Sequence, residues 1–344
     1  MPFQTYLLEQ LKKHPSIQPQ DVLKLCYQAA FGAEHLLQDM ERAKAYLQQE
    51  YETVPAAEKP LFEEISDEIV RVDLSAWKFY GLPAEWLFSM LAASPFAEAG
   101  EAVFRDYLKQ AEVVLEAASF SQSDWQAYLQ EYEKTGLSPV HHSPIYREQE
   151  KPAYRIVNKK FVRIFPILQE AAKQQGEVCV IAIDGRAASG KTTMTTMLQA
   201  VLQAEVVQMD DFFLPPELRT EKRLAEPGGN VHYERFQAEV LPHLSQAAPF
   251  SYRRFDCSQM DYHGSRAVGE SRFRIVEGSY SHHPAFGEYA HIKVYSFVDG
   301  EEQLKRIEKR NGSRMAEMFR TRWIPLEEAY FETYGIRRKA DLEV

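Results

Sequence analysis

One octapeptide does more than any other part of this 344-residue chain to limit what it can fold into. Gly185, Arg186, Ala187, Ala188, Ser189, Gly190, Lys191 and Thr192 match Gly-x-x-x-x-Gly-Lys-Ser/Thr at every position. Small residues at that spacing let successive backbone N–H groups turn inward around phosphate oxygens, and a helix starting there adds the positive end of its dipole. The lysine then reaches terminal phosphates, and the threonine hydroxyl can ligate Mg²⁺. The flanks suit this reading. Residues 178–183 are a continuous apolar, β-branched run of strand length, and helical sequence runs from Gly190 to about Gln203. Gly185, Ala188, Ser189, Gly190, Lys191, Thr192 and Thr193 are therefore the expected contacts of ATP, with Mg²⁺ on Thr192.

Further strand-length runs, 205–208, 273–276 and 292–298, alternate with helical or loop sequence. Such alternation argues for a parallel sheet flanked by helices. Earlier residues have another rhythm. Leu36, Leu37, Met40, Ala43 and Leu47 recur at helical spacing, as do Val103, Phe104, Tyr107, Leu108, Ala111, Val114 and Leu115. Ser123 and Asp124 offer a cap for a helix carrying Trp125, Tyr128 and Leu129. Short strands near 69–74 are compatible with the pattern, but nothing there demands a sheet. Gly and Ser-Pro breakers over 136–144 end the helical run. A last helix is expected from about 158 to 175, kinked at Pro166. The chain reads as a mainly α-helical domain, 1–155, followed by an α/β P-loop domain, 156–344, and its length suits two domains.

Charge divides at the same place. The chain carries 40 Lys+Arg against 50 Asp+Glu, a net of −10, which argues against a general nucleic-acid binder. Residues 1–155 hold 14 basic and 24 acidic side chains, whereas 156–344 hold 26 of each and 17 of the 22 arginines. Cys26, Cys179 and Cys257 have no close spacing, so neither a zinc cluster nor a disulfide framework is indicated, and a reducing cytoplasm is the expected home. No apolar stretch is long enough for a bilayer, and the first residues lack the pattern of a secretory signal. The expected partner is a small molecule, with no nucleic acid and no membrane; a homo-oligomer is left open.

Residues 205–213 form a second strand ending on Asp210 and Asp211. Strand C-termini of a parallel sheet line the ligand crevice, where a carboxylate can take the proton of an attacking hydroxyl. Arg274, Ile275, Val276, Glu277 and Gly278 put another carboxylate at a strand end, suited to Mg²⁺. On the phosphate loop and these two segments, supported by Phe297, Val298 and Asp299 followed by Leu304, Arg306 and Arg310, residues 178–336 resemble the uridine kinase and phosphoribulokinase group of P-loop kinases. The resemblance implies Mg²⁺-dependent transfer of the γ-phosphoryl group of ATP to a hydroxyl of a small molecule, a nucleoside among the candidates. It implies Asp210 as general base, with Asp211 next in line, Lys191 neutralising charge, and Glu277 beside Thr192 on the metal. It also implies a mobile lid drawn from Arg306, Arg310, Arg314, Arg320 and Arg322, with Arg310 and Arg314 as the nucleotide contacts. Asn230, His232 and Arg235 follow the Pro227, Gly228, Gly229 turn, His232 standing where the group has a sugar-binding aspartate. Tyr252 and Arg254 fall in a segment like the group's base-pocket strand. These five are the expected acceptor contacts. Residues 322–331, dense in aromatics beside acids, either close over a ligand or pack the last helix.

The acidic part gathers polar residues in three places: Gln28 with Glu34 and His35; Arg71 with Asp73; and His141, His142 and Ser143 through Tyr146 and Arg147 to Tyr154 and Arg155. The paired histidines with Arg147 and Arg155 are candidates for a second anion or metal site. Adjacent side chains diverge on a strand or a helix, which argues against a shared metal. Two alternatives stand beside the kinase: a bifunctional protein with its second site in the helical part, and a nucleotide-binding regulator. The regulator would call for an Asn-Lys-x-Asp motif, which the second part lacks.

Overall fold

The computed structural model describes residues 2–33, 39–94, 101–118 and 120–344. Leu36 and Leu37 of the expected helix, and Glu34 and His35 of the first polar group, lie outside the described residues. The chain divides into two compact units, Met1–Val162 and Arg163–Val344.

The N-terminal unit is mainly helical. Helices Phe3–Lys13, Pro19–Phe31, Glu101–Ala117 and Gln122–Glu133 bury apolar residues at helical spacing, among them Leu7, Leu23, Phe104 and Trp125, which are withdrawn from solvent. Ser121, rather than Ser123, caps the helix Gln122–Glu133 by accepting from the Asp124 N–H. The unit also holds a sheet that the sequence did not demand. β1 (Phe62–Glu64), β2 (Ile69–Asp73) and β3 (Tyr154–Asn158) pair antiparallel in that order, with Arg71 opposite Ile156 and Asp73 opposite Tyr154. β2 is buried at four of its five positions, Arg71 included. The alternation that betrays a half-exposed strand is therefore missing.

The second unit is the expected α/β domain. Its strands are β4 (Cys179–Gly185), β5 (Glu205–Gln208), β6 (Phe250–Asp256), β7 (Asp261–Val268), β8 (Phe273–Glu277), β9 (Ile292–Ser296) and β10 (Leu342–Glu343). Five form a parallel sheet in the order β10-β9-β4-β8-β5, while β6 and β7 make a separate antiparallel hairpin. β4 is central and buried at every position, as its apolar run requires. Valines 180, 207 and 276 join Phe212, Phe236 and Tyr330 in the core. Glu277 lies opposite both Ile183 and Gln208, so the ends of β4, β5 and β8 open along one edge. Pro166 does not kink a helix. It occupies the first turn of the helix Phe165–Lys173, where its missing N–H costs nothing, and a 3₁₀ turn precedes it. Among the described residues no helix is long and apolar enough to cross a membrane.

Candidate active site

The phosphate loop leaves β4 at Gly185 and enters the helix Lys191–Leu202. Gly185 has φ +135°, and a Cβ there would lie 2.1 Å from the Ser296 carbonyl oxygen, so β9 packs too closely for any other residue. Ala188, at φ 58°, takes the left-handed conformation that turns loop amides toward an anion. The Lys191 ammonium donates to the carbonyls of Gly185 (2.7 Å) and Arg186 (2.8 Å), bracing the loop across its mouth. Arg163 holds it from outside, donating through Nη2 to the Ser189 carbonyl (2.9 Å) and Ser296 Oγ (3.1 Å). Asp184, wholly buried, accepts from the backbone N–H groups of Gly185, Tyr280 and His282 and from the Tyr330 hydroxyl, at 2.7 to 3.0 Å. One carboxylate thus fixes the start of the loop, the segment after β8 and the C-terminal helix Ile324–Tyr334.

These elements enclose a cleft of about 1000 Å³. Its wall includes the loop from Ala187 to Thr193, and Asp210, Glu277 and Glu327. Asp210 ends β5 on the 3₁₀ turn Met209–Phe212. Its side chain is open to the cleft yet surrounded by protein. Burial pushes its carboxyl above the usual range and nearby Asp211 adds to this, against the pull of Lys191 and Arg310. Glu277 accepts from the Thr192 hydroxyl at 3.2 Å and is likewise raised by burial, with Lys191 opposing and Asp210 adding. Glu327 sits on the phosphate loop itself: its Oε2 accepts from the Ala187 N–H at 3.0 Å, and its Oε1 lies 2.8 Å from Ser279 Oγ. Burial raises it too, with Lys191 again the leading opposing charge.

Asp211 turns away from its neighbour, because successive side chains on a 3₁₀ turn diverge by about 120°. It is buried and accepts from Arg266 Nε (2.7 Å) and the Tyr252 hydroxyl (3.0 Å), with Arg254 at 3.7 Å. Four of the five expected acceptor contacts are absent from the cleft wall. Tyr252 and Arg254 face Asp211. Arg235 donates to the Asp211 and Arg253 carbonyls, its guanidinium lying over the Phe212 ring. His232 Nδ1 lies 3.3 Å from the Tyr262 hydroxyl. Together they form a brace behind the turn that presents Asp210. Asn230 does line the cleft and is hydrogen-bonded to Tyr280, with Phe213, Arg219, Leu224, Cys257 and Met260 also on the wall.

Of the lid arginines, Arg306, Arg310 and Arg322 line the cleft, and Arg314 and Arg320 do not. Arg320 is exposed and paired with Glu317. Phe319–Trp323 is a π-helical turn, an uncommon geometry that recurs at functional sites. In the 322–331 segment, Tyr330 and Phe331 pack in the core, the second of the two alternatives, while Arg322, Trp323, Pro325, Leu326 and Glu327 line the cleft. Arg163, Asp184, Ser279 and Glu327 escaped the sequence reading. Only Asp184 had a local signal, an acid inside an apolar strand just before the loop.

No protein-family model matches the chain, and no curated protein does. Solved structures do. A candidate uridine kinase from Bacillus stearothermophilus is similar over 54% of this chain and 98% of its own, with 19% identity and a TM-score of 0.43. A candidate fructose transport system kinase from Silicibacter sp. TM1040 is similar over 53% and 97%, with 22% identity and a TM-score of 0.44. A candidate P-loop kinase with a circular permutation, from Saccharomyces cerevisiae, is similar over 54% and 98%, with 11% identity and a TM-score of 0.39.

Proposed function

We propose that the second unit is a Mg²⁺-dependent kinase that moves the γ-phosphoryl group of ATP onto a hydroxyl of a small molecule. The observation that carries this is the shared cleft. A phosphate loop, a carboxyl open to the same space and a threonine–glutamate pair all face one cavity, while the adjacent Asp211 is tied up elsewhere.

The donor set suits a hard divalent cation. Asp210, Glu277 and Glu327 are oxygen donors at one cleft, and burial raises all three against the pull of Lys191 and, for Asp210, Arg310. Among the described residues no group of three His, Cys, Asp or Glu side chains could hold an ion, and Mg²⁺ commonly uses one or two protein ligands and completes its shell with phosphate and water. Thr192 and Glu277 would hold it, and when bound it neutralises charge on the phosphoryl oxygens.

The chain's own groups then have distinct tasks. Loop amides and Lys191 bind the phosphates. Arg306, Arg310 and Arg322 bring guanidinium groups to the developing charge. Asp210 takes the proton of the acceptor hydroxyl as its oxygen bonds to the γ-phosphorus and the bridge to the β-phosphate breaks. A carboxyl raised toward neutrality is better matched to that proton than an ordinary one. We read the acceptor as a polyol bearing a flat or apolar part, such as a nucleoside, because Phe213, Leu224 and Met260 stand with Asn230 and Arg219 on the cleft wall. The test is a screen of nucleosides, sugars and cofactor precursors with labelled ATP, run on the native chain and on Asp210→Asn. Label transfer that disappears in the variant while nucleotide binding survives supports the reading. Hydrolysis alone across the panel sinks it.

A further inference from the structure

The N-terminal unit brings together residues that lie far apart in the sequence, and it leaves donors over. Asp21 accepts from His142 Nδ1 (2.9 Å), from the Ser143 amide (2.9 Å) and hydroxyl (2.7 Å), and from the Gln18 amide (3.1 Å). The ionised carboxylate fixes the proton of His142 on Nδ1, so Nε2 accepts from the Tyr154 hydroxyl at 2.6 Å. Arg71 stands over the Tyr154 ring at 4.2 Å; its Nη2 donates to Gln28 Oε1 (2.9 Å) and the Tyr154 hydroxyl (3.3 Å), and its Nη1 to Gln10 Oε1 and the Glu63 carboxylate (3.3 Å each), so Nε alone is left. Around Arg71, two buried polar atoms have no partner among the described residues, Arg71 Nε and the Tyr6 hydroxyl. Arg71 is 5% exposed and Tyr6 1%. They belong to one neighbourhood, the guanidinium carbon lying 5.6 Å from the Tyr6 ring centre. A buried N–H and a buried O–H left unsatisfied each carry a desolvation cost, so leaving two together is a cost without a structural return.

The local charge points the same way. The unit as a whole is acidic, yet Arg71 and Arg147 stand close enough to Lys24 to be felt. Burial lowers the Lys24 ammonium to about 8, and the fields of Arg71 and then Arg147 add to that lowering, with Asp21 opposing. Lys24 already donates to the Val140 carbonyl and both His142 nitrogens are engaged, so the donors left over are Arg71 Nε and the Tyr6 hydroxyl. We propose that the N-terminal unit holds a second ligand site that binds a small oxyanion, a carboxylate or phosphate group, on Arg71 Nε and the Tyr6 hydroxyl, beside the Tyr154–His142–Asp21 chain.

The experiment uses the full chain carrying Lys191→Ala, which weakens the loop's own hold on phosphate, and titrates inorganic phosphate and succinate by calorimetry. Tyr6→Phe is the deciding variant, because it deletes only a hydroxyl that no described residue uses. Binding of either anion that falls about tenfold or more in Tyr6→Phe, and again in Arg71→Lys, supports the site; those losses match a hydrogen bond to a charged group. Phosphate binding assigns a phosphorylated ligand, succinate binding a carboxylate. The melting temperature of Tyr6→Phe should stay level or rise. The proposal fails if neither anion binds with Kd below about 10 mM, or if Tyr6→Phe binds as tightly as its parent.

Discussion

The two units solve the burial of charge in opposite ways. In the N-terminal unit, burial pushes the Asp21 carboxyl up, but hydrogen bonds from His142, Ser143 and Gln18 outweigh it and hold the group below the ordinary range. In the cleft of the second unit, Asp210, Glu277 and Glu327 lack such a set of donors, and burial raises all three against the pull of Lys191. One site holds its acid ionised by hydrogen bonds; the other pushes its acids toward the neutral form. The Arg71 neighbourhood differs again, in leaving two buried polar atoms without a partner among the described residues.

The largest effect expected from breaking this contrast is chemical. Asp210→Asn removes the one carboxyl of its pair that faces the cleft, and turnover should fall roughly 10²–10⁴-fold, the range of a lost general base. Nucleotide affinity should stay within about threefold, since no loop contact is lost. Asp211→Asn is the counter-test: it should lower stability through Arg266 and Tyr252 and affect turnover far less. Equal losses of turnover with unchanged stability would undo the division of labour between them. In the other unit the matching break is Asp21→Ala. It leaves His142, Ser143 and the Gln18 amide without their acceptor, and urea unfolding should report a loss of roughly 1–3 kcal/mol for each buried donor stranded.

The cleft was more legible in the sequence than the Arg71 cluster, for a physical reason. A phosphate loop is a local device. Gly185, Gly190, Lys191 and Thr192 act through backbone conformation and one helix start, so eight consecutive residues carry the signal. Asp210 and Glu277 were legible because strand ends in a parallel sheet point to a common edge. The acceptor residues were not. His232, Arg235, Tyr252 and Arg254 have the composition of a binding surface, but β6 and β7 form an antiparallel hairpin that commits them to Asp211 and its turn, and pairing of that kind has no local marker. Glu327 was hidden for the same reason: a glutamate on an amphipathic helix reads as solvated until the helix is seen docked on the loop. In the N-terminal unit Gln28, Arg71, His142, Ser143 and Tyr154 were singled out in separate groups, and Asp21 and Tyr6 were not. Their convergence depends on β2 and β3, and β2 is masked as a strand by Arg71 at its buried centre.

The contrast also sets opposite responses to pH. Burial, reinforced by the fields of Lys24 and Arg71 and resisted by the bond to Asp21, depresses His142 from 6.5 to about 4. The unfolded chain therefore binds more protons between those values, and the N-terminal unit should lose stability as pH falls from 6.5 toward 4. Protection factors of β2 and β3 amides, which allow for the slower intrinsic exchange in acid, should fall over that window, and His142→Asn should flatten the change. Protection that is level from pH 6.5 to 4 in the native chain would break the assignment of a neutral, buried His142.

Glu327→Gln gives the smallest effect and the sharpest view of the cleft. Its carboxylate occupies the Ala187 N–H, one of the loop amides that surround phosphate, so an arriving triphosphate meets a negative charge already in place. The glutamine keeps an acceptor for that amide and removes the charge. Nucleotide Kd should fall about two- to tenfold, the equivalent of one modest polar contact. The pH response checks the cause. A carboxyl raised above its ordinary value of 4.5 stabilises the fold below that value and loses the contribution as pH rises through its folded pKa. The second unit should therefore weaken as pH rises above 4.5, the reverse of its neighbour, and Glu327→Gln should weaken less. If nucleotide binding slackens in the variant instead, Glu327 is an organiser of the loop and not a competitor for it.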